Sequence, residues 1–461
     1  MTAPSPSSSD LAATVAGLMP QLRRDLETLV RIPSVSGADQ PAAPILEAAG
    51  AVGDLLREVG VQHVRTLDLP GTNPVVLGEI PGPEGAPTVL LYSHYDVVSP
   101  GDLDEWHSDP FDPTERDGAI FGRGTADTKA NIVTHLGALR AWNGTPPVGI
   151  KVVIEGDEET GGAAFTEYPP TDPELFAADV LIIADAGSVE PCVPTLTVAL
   201  RGVAEVFVEV RTLASAKHSG MYGGAAPDAL VALLHALGTL HDEHGDVAVE
   251  GLRREPWTGA VSTEEEFRAL TEIVGDTPLI GTGDLGSRIV SGPAITVVGI
   301  DAPPVDRAVN AVSPFARAKL NVRVHPEQDA TEAQDAVIAH LAAVKPFGIA
   351  LELSRGATGN GFAARTDSPA YEAAREAWQG AWEADVVHVG IGGSIPLVDA
   401  LQRAVPTADV LLVGAADGLA NIHGPNERVL LDELEKATLA EADFFGRLAA
   451  AHAATQDLAA R

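Results

Sequence analysis

A chain of 461 residues is longer than one ordinary hydrophobic core organises, so two domains are expected. Its formal charge of −35, from 65 acidic against 30 basic residues, is spread along the whole chain and makes nucleic acids and anionic membrane surfaces poor partners. No apolar run approaches the roughly 18 residues that span a bilayer. The opening MTAPSPSSSDLAATVAGLMP lacks a basic n-region and a continuous apolar core, and reads as a short disordered lead into a helix. A lone cysteine, Cys192, excludes an internal disulfide framework, and the expected address is cytoplasmic.

In chain order, a helix is predicted over 47–59, then a short apolar strand, TVLLY, over 88–92. A helix over 128–142 leads to strand IKVVI (150–154), which is followed by strand VLIIA (180–184). Such unbroken apolar runs read as buried parallel strands. From about Val203 the pattern changes, because VAEVFVEVR alternates strictly, as a half-buried strand does. A helix over 227–240, strands over 295–300 and 316–324, a helix over 331–344 and a strand over 349–354 complete a β-α-β-β-α-β order. That is the ferredoxin-like split βαβ arrangement, interrupted by an excursion over 242–292. The first pattern then resumes with a helix over 369–382, strand VLLV (410–413) and a helix over 430–450. The expected fold is an α/β sandwich over 1–201 and 356–461, with an inserted α+β domain over 202–355.

The chemistry gathers where the parallel strands end. TVLLY runs into His94 and Asp96, IKVVI into Glu155, Glu158 and Glu159, and VLIIA into Asp185. Asp127 opens a helix after the tight Gly122-Arg123-Gly124, and VLLV is followed by a loop carrying His423. Open α/β sheets bind ligands at the carboxyl ends of their strands, so these clusters should converge. Two imidazoles among several carboxylates suit zinc, manganese or cobalt.

These strings resemble a known family. His94-Tyr95-Asp96, Trp106-x-x-Asp109-Pro110-Phe111, Gly122-Arg123-Gly124-x-x-Asp127-x-Lys129, Glu155-Gly156-x-Glu158-Glu159 and His423-Gly424-Pro425-Asn426-Glu427 are similar, in order and spacing, to the co-catalytic zinc peptidases related to carnosinase, aminoacylase and succinyl-diaminopimelate desuccinylase. The resemblance runs from about residue 25 to 445. It implies two divalent ions, with His94 and Asp185 holding one, Glu159 and His423 the other, and Asp127 bridging both. Glu158 is implied as general base on the bridging water and Asp96 as the residue that orients His94. A cis peptide bond after Asp127 is implied as well.

The resemblance extends to the insertion. Lys217-His218-Ser219-Gly220-x-Tyr222-Gly223-Gly224 is similar to the carnosinase-like branch, which implies a homodimer in which His218 reaches the partner's site and stabilises the oxyanion. Arg323 resembles the arginine that grips the substrate carboxylate, and Asn310 is a further substrate contact. Gly392-Gly393-Ser394-Ile395-Pro396 looks like a loop whose Gly393 amide and Ser394 approach that carboxylate. Thr128 departs from the commoner Met, Asn or Asp at its position. Asp185, where deacylases more often carry Glu, favours a dipeptidase over an N-acyl amino acid deacylase. A non-catalytic peptide-binding or metal-binding homologue would be expected to lack the base or a ligand, and none is missing.

Overall fold

The computed structural model describes residues 6–393 and 395–459. The chain divides into two compact units, one built from 6–198, 364–388 and 400–459, the other from Ala199–Ala363 and Val389–Asp399.

The first unit is organised by a sheet whose strands run, in spatial order, Gln62–Leu67, Val75–Ile80, Gly149–Glu155, Thr88–His94, Val180–Ala184 and Asp409–Val413. The last four are mutually parallel, with His94 opposite Glu155 and Val413 opposite Ala184. All four point their carboxyl ends the same way. Val180–Ala184 is buried at every position, which is why its sequence is an unbroken apolar run rather than an alternation. Helices Ser8–Val30, Ala130–Ala141, Pro369–Trp382 and Leu431–Ala459 pack against one another and the sheet. Ala130–Ala141 is buried at eleven of its twelve positions, which places it in the middle of the unit.

The second unit is a four-stranded antiparallel sheet in the order Ala294–Asp301, Phe315–Val324, Gly202–Arg211, Glu352–Gly359, with helices Ala229–Leu237 and Ala330–Ala343. This is the ferredoxin-like order expected. Gly202–Arg211 and Phe315–Val324 pair without a break from Gly202 opposite Val324 to Arg211 opposite Phe315. Ala204, Val206, Val208, Val210, Ala316, Ala318, Leu320, Val322 and Val324 form one buried face, covered by Leu233 and Val337 from the two helices. Val203, Glu205, Lys319, Asn321 and Arg323 take the other face, where the period-2 rule puts them.

Three expectations need correction. The first helix starts at Ser8, where Ser7 and Asp10 form a reciprocal capping box, so order begins well inside the segment read as a disordered lead. The predicted boundary at 355/356 falls inside the strand Glu352–Gly359, which is longer at its carboxyl end because Ala204 and Val203 pair with Thr358 and Gly359. Residues 389–399, assigned by sequence to the first unit, belong to the second. Val389 bridges Ala260, and Gly390 packs so closely that a Cβ there would lie 2.1 Å from Val290 Cγ1.

Candidate metal centre

Four parallel strands that end together deliver the residues after them to one place. His94 is the last residue of its strand and Asp185 comes directly after the last residue of another. Glu158 and Glu159 form the turn just after Glu155. Asp127 lies in the turn Thr125–Lys129, preceded by Gly124 at φ +81°, where a Cβ would come within 2.5 Å of Val97. Glycine is required there both by the left-handed backbone and by the space. The Asp127–Thr128 peptide bond is cis, as the resemblance implied.

Asp127 is the centre of the arrangement. Its Oδ1 lies 3.0 Å from His94 Nε2 and its Oδ2 lies 3.1 Å from His423 Nε2. Asp185 Oδ1 lies 3.4 Å from the same His94 nitrogen, and Glu159 Oε2 lies 3.1 Å from the same His423 nitrogen. Donor atoms of His94, Glu158 and Asp185 also lie within 4.8 Å of one another. The residues therefore sort into a His94–Asp185 side and a His423–Glu159 side, with one carboxylate between them.

The donor set fits two cations. Ligands about 2.1 Å from a tetrahedral ion sit about 3.4 Å from each other, and the observed donor separations of 3.0 to 3.4 Å are close to that spacing. Glu159 Oε1 is buried with no hydrogen-bond partner, an orphan that an ion would satisfy. His94 Nδ1 is 3.0 Å from the Asp96 carbonyl oxygen, so its N–H donates there and leaves Nε2 to face an ion.

Asp96 has a wider task than orienting His94. Its carboxylate is fully buried and accepts the backbone N–H groups of Glu158 and Glu159, both at 3.2 Å. One aspartate thus joins the His94 strand to the turn bearing the two glutamates. Thr128 performs a similar service. Its hydroxyl donates to His94 O at 3.0 Å and accepts from His94 N at 3.2 Å, fastening the Asp127 turn to the end of the strand. The Lys129 ammonium is buried and donates to the carbonyls of Leu29 and Ile32, and burial lowers its pKa to about 7.

The electrostatics are those of a site built to hold positive charge. Burial and then the Asp185 charge push Glu158 up to about 8, and burial raises Asp185. Burial works against the charged form of Asp127, but the imidazoles of His423 and His94 outweigh it and hold the carboxyl below the usual range. Hydrogen bonds to Asp127 and Glu159 lift His423 to about 10. Beneath the site, burial pushes Glu155 to about 8, although it accepts a 2.7 Å hydrogen bond from Tyr92.

The remaining predicted site residues lie in the second unit. His218 is exposed, and its Nδ1 accepts the Gly220 N–H at 3.1 Å. Lys217–His218 pairs with Ala311–Val312, and Ser219 N donates to Asn310 O at 2.9 Å, so His218 and Asn310 share one ribbon. Pairing between two-residue strands about ninety positions apart leaves no periodic signal, and sequence reasoning missed it. Arg323 is half-buried opposite Val203, and Gly393 is exposed. Ser394 lies outside the described residues. Sequence reasoning also passed over Arg201. This guanidinium is largely buried, its Nε has no partner, and burial and then the Arg323 charge lower its pKa to about 10.

Comparison with known proteins decides the family. The profile of peptidase family M20/M25/M40 matches residues 90–446. The chain belongs to that family. A cysteinylglycine-S-conjugate dipeptidase of Corynebacterium striatum is 40% identical over 452 residues, covering 95% of this chain and 98% of the relative. A β-Ala-His dipeptidase of Rattus norvegicus is 27% identical over 462 residues, covering 95% and 90%. Among solved structures, human carnosine dipeptidase 1 superposes with a TM-score of 0.74 at 24% identity, covering 97% of this chain and all of that one. An M20-family metallo-carboxypeptidase of Sulfolobus solfataricus reaches 0.78 at 21% identity, covering 93% and 99%. This M20 chain is therefore a metallopeptidase with the fold of that family. Among its described residues no helix is long and apolar enough to cross a membrane.

The buried acids make the metal-free protein sensitive to pH. Glu155 and Glu158 shift from an ordinary 4.5 to about 8, so between those values the folded chain keeps protons that the unfolded chain releases. Their contribution to stability therefore falls as pH rises, by up to about 1.4 kcal/mol per pH unit for each group. Burial lowers His325 and His388 and acts in the opposite sense, so the informative quantity is a difference. From pH 5 to 7 the thermal midpoint of metal-free protein should change more favourably in Glu158→Gln than in the parent chain. Parallel pH profiles would contradict this reading of the site.

Proposed function

We propose that this chain is a two-zinc dipeptidase in which Asp127 bridges the ions, His94 and Asp185 complete one site, and Glu159 and His423 complete the other. The observation that carries the reading is the pair of Asp127 oxygens, each about 3 Å from a different imidazole Nε2. Two imidazoles among three carboxylates are donors that zinc accepts, and manganese or cobalt would be held by the same set. Bound there, the ions would polarise the scissile carbonyl and bring water's pKa toward about 7. Asp127, Glu159 and Asp185 carry three negative charges against four from two divalent ions, so one further anion completes the balance.

Glu158 is the proposed general base. Its carboxyl lies beside His94 and Asp185, within reach of a water held by the ions. Such a group can take a proton from the attacking water and return it to the leaving amine nitrogen. Asp96 keeps Glu158 in reach by holding its backbone N–H. His218 is proposed to stabilise the oxyanion of the tetrahedral intermediate in the partner subunit of a homodimer, with Asn310 beside it on the same ribbon. Support for pairing comes from the edge strand Ala294–Asp301, where Val297, Val298 and Ile300 are exposed. Arg323 is proposed to receive the substrate carboxylate, aided by the Gly393 amide and Ser394. The neighbouring Arg201 supports this, because two guanidiniums without a paired acid among the described residues favour an anion. A cytoplasmic location belongs to the same reading, supported by the single cysteine.

The named relatives cleave dipeptides and favour that substrate class over N-acyl amino acids. We place S-substituted cysteinylglycine dipeptides first among candidates because the relative at 40% identity carries that activity in its name. In a substrate panel, such dipeptides should exceed N-acetyl amino acids in kcat/KM by at least about a hundredfold. Faster cleavage of the N-acyl compounds would overturn the assignment.

Glu158→Gln should keep its metal and its substrate affinity while losing several orders of magnitude in turnover, because base and proton shuttle are removed together. Near-normal turnover with metal in place would exclude Glu158 as the base. The same variant tests the dimer. Mixing it with inactive His218→Ala subunits puts both defects in one site of each hybrid and neither in the other, so up to about half of hybrid sites should work. No recovery after demonstrated subunit exchange would remove His218 from the partner's site.

A further inference from the structure

Asp127 and His423 must hold their separation, yet they lie almost 300 residues apart in the chain and neither sits inside a strand. Antiparallel pairing of Ala119–Phe121 with Arg428–Leu430 brings the two loops together, and a buried ion pair then joins the loops themselves. Glu427 and Arg123 are 0% and 1% exposed, and Arg123 Nη1 donates to Glu427 Oε2 at 2.6 Å. The same Oε2 accepts the Gly124 N–H at 3.0 Å, and Oε1 accepts those of Ala126 at 2.8 Å and Asp127 at 3.1 Å. A carboxylate offers about four lone-pair directions, and here four donors use them. In the other direction, Arg123 Nη2 donates to the carbonyls of His423 at 3.2 Å and Gly424 at 3.1 Å.

The His423 loop needs such a restraint. His423 and Asn426 have φ of +63° and +60°, the left-handed region that residues with a side chain seldom occupy unless their surroundings impose it. Arg123 holds the carbonyl of the strained histidine itself, and Glu427 O accepts the Gly122 N–H at 2.9 Å from the opposite loop. The Trp106 ring lies 5.3 Å from the guanidinium carbon and closes one side of the pair against water. Glu155, also buried near the site, has no comparable reach, for its carboxylate meets only the Tyr92 hydroxyl.

From this geometry we propose that Glu427 and Arg123 are positioning residues that set the Asp127–His423 separation, and through it the affinity of the ion on the His423–Glu159 side. The ion on the His94–Asp185 side depends on them less, since His94 and Asp185 stand at strand ends and His94 is held by Asp96. The inference rests on the two-ion reading above, which the unaltered chain tests separately. Glu427→Gln keeps the shape but presents an amide NH2 to N–H donors, so no orientation satisfies all four partners. Arg123→Lys keeps the backbone bonds of Glu427 and removes the fork that reaches His423 and Gly424.

The test is titration of metal-free protein with Co2+, monitored by calorimetry and by the visible absorption of the bound ion. The parent chain should take up two ions. Glu427→Gln should bind one ion as the parent does and the other about 10- to 100-fold more weakly. Turnover should be substantially restored at saturating Co2+, which a general loss of structure would not allow. Arg123→Lys should show the same selective weakening and decides the matter if Glu427→Gln does not fold. Unchanged affinity for both ions in the variants, or equal weakening of both, overturns the proposal. A parent chain that binds one ion would instead remove the two-ion reading on which it stands.

Discussion

One carboxylate facing two imidazoles is the constraint on which the rest of the catalytic unit depends. Asp127 presents Oδ1 to His94 and Oδ2 to His423. Asp185 and Glu159 add a second carboxylate to each imidazole, and Glu158 a further acid beside His94 and Asp185. Burial first, with the neighbouring acids adding to it, pushes Glu158 and Asp185 up, so such a concentration of buried acid is unfavourable by itself. In this M20 peptidase the same concentration supplies the negative charge that bound cations would neutralise. Metal binding and folding should therefore reinforce each other.

Position is secured by buried polar contacts between segments far apart in sequence. Asp96 joins the end of one strand to the turn after another. Thr128 fastens the Asp127 turn to His94, and the Glu427–Arg123 pair joins that turn to the His423 loop. Each of these groups would be costly in the interior if unpaired, and each is paired with backbone rather than only with another mobile side chain. Backbone partners set a geometry that side-chain pairs alone would leave loose. Around this frame the parallel strands supply stiffness, since residues such as Leu90, Leu91, Leu181 and Ile182 are wholly buried.

Much of this was legible in the sequence, for identifiable reasons. Unbroken apolar runs such as VLIIA suit strands buried on both faces, and the residues that come after such strands lie at one edge of a parallel sheet. That rule predicts that His94, Glu158, Glu159 and Asp185 meet. The strict alternation of VAEVFVEVR likewise identified the inserted sheet. The features that escaped were set by tertiary contact. The 389–399 segment runs from the end of one short strand into the start of a helix, as segments of the first unit do. It is the Val389–Ala260 bridge and the fit of Gly390 against Val290 that tie it to the second. Asn310 meets the His218 ribbon through a pair of two-residue strands, too short to carry a period. Glu427 was visible as part of a motif, but its four donors come from residues 123–127, which local pattern could not associate with it.

The most direct test of the whole account is the number and placement of ions in the active protein. Crystals of metal-replete enzyme, with elemental analysis and anomalous scattering at the zinc edge, would locate them. Two ions per chain are expected about 3.5–4 Å apart, one beside His94 and Asp185, the other beside His423 and Glu159, with an oxygen of Asp127 on each. A fully active protein holding one ion, or two ions not bridged by Asp127, would contradict it.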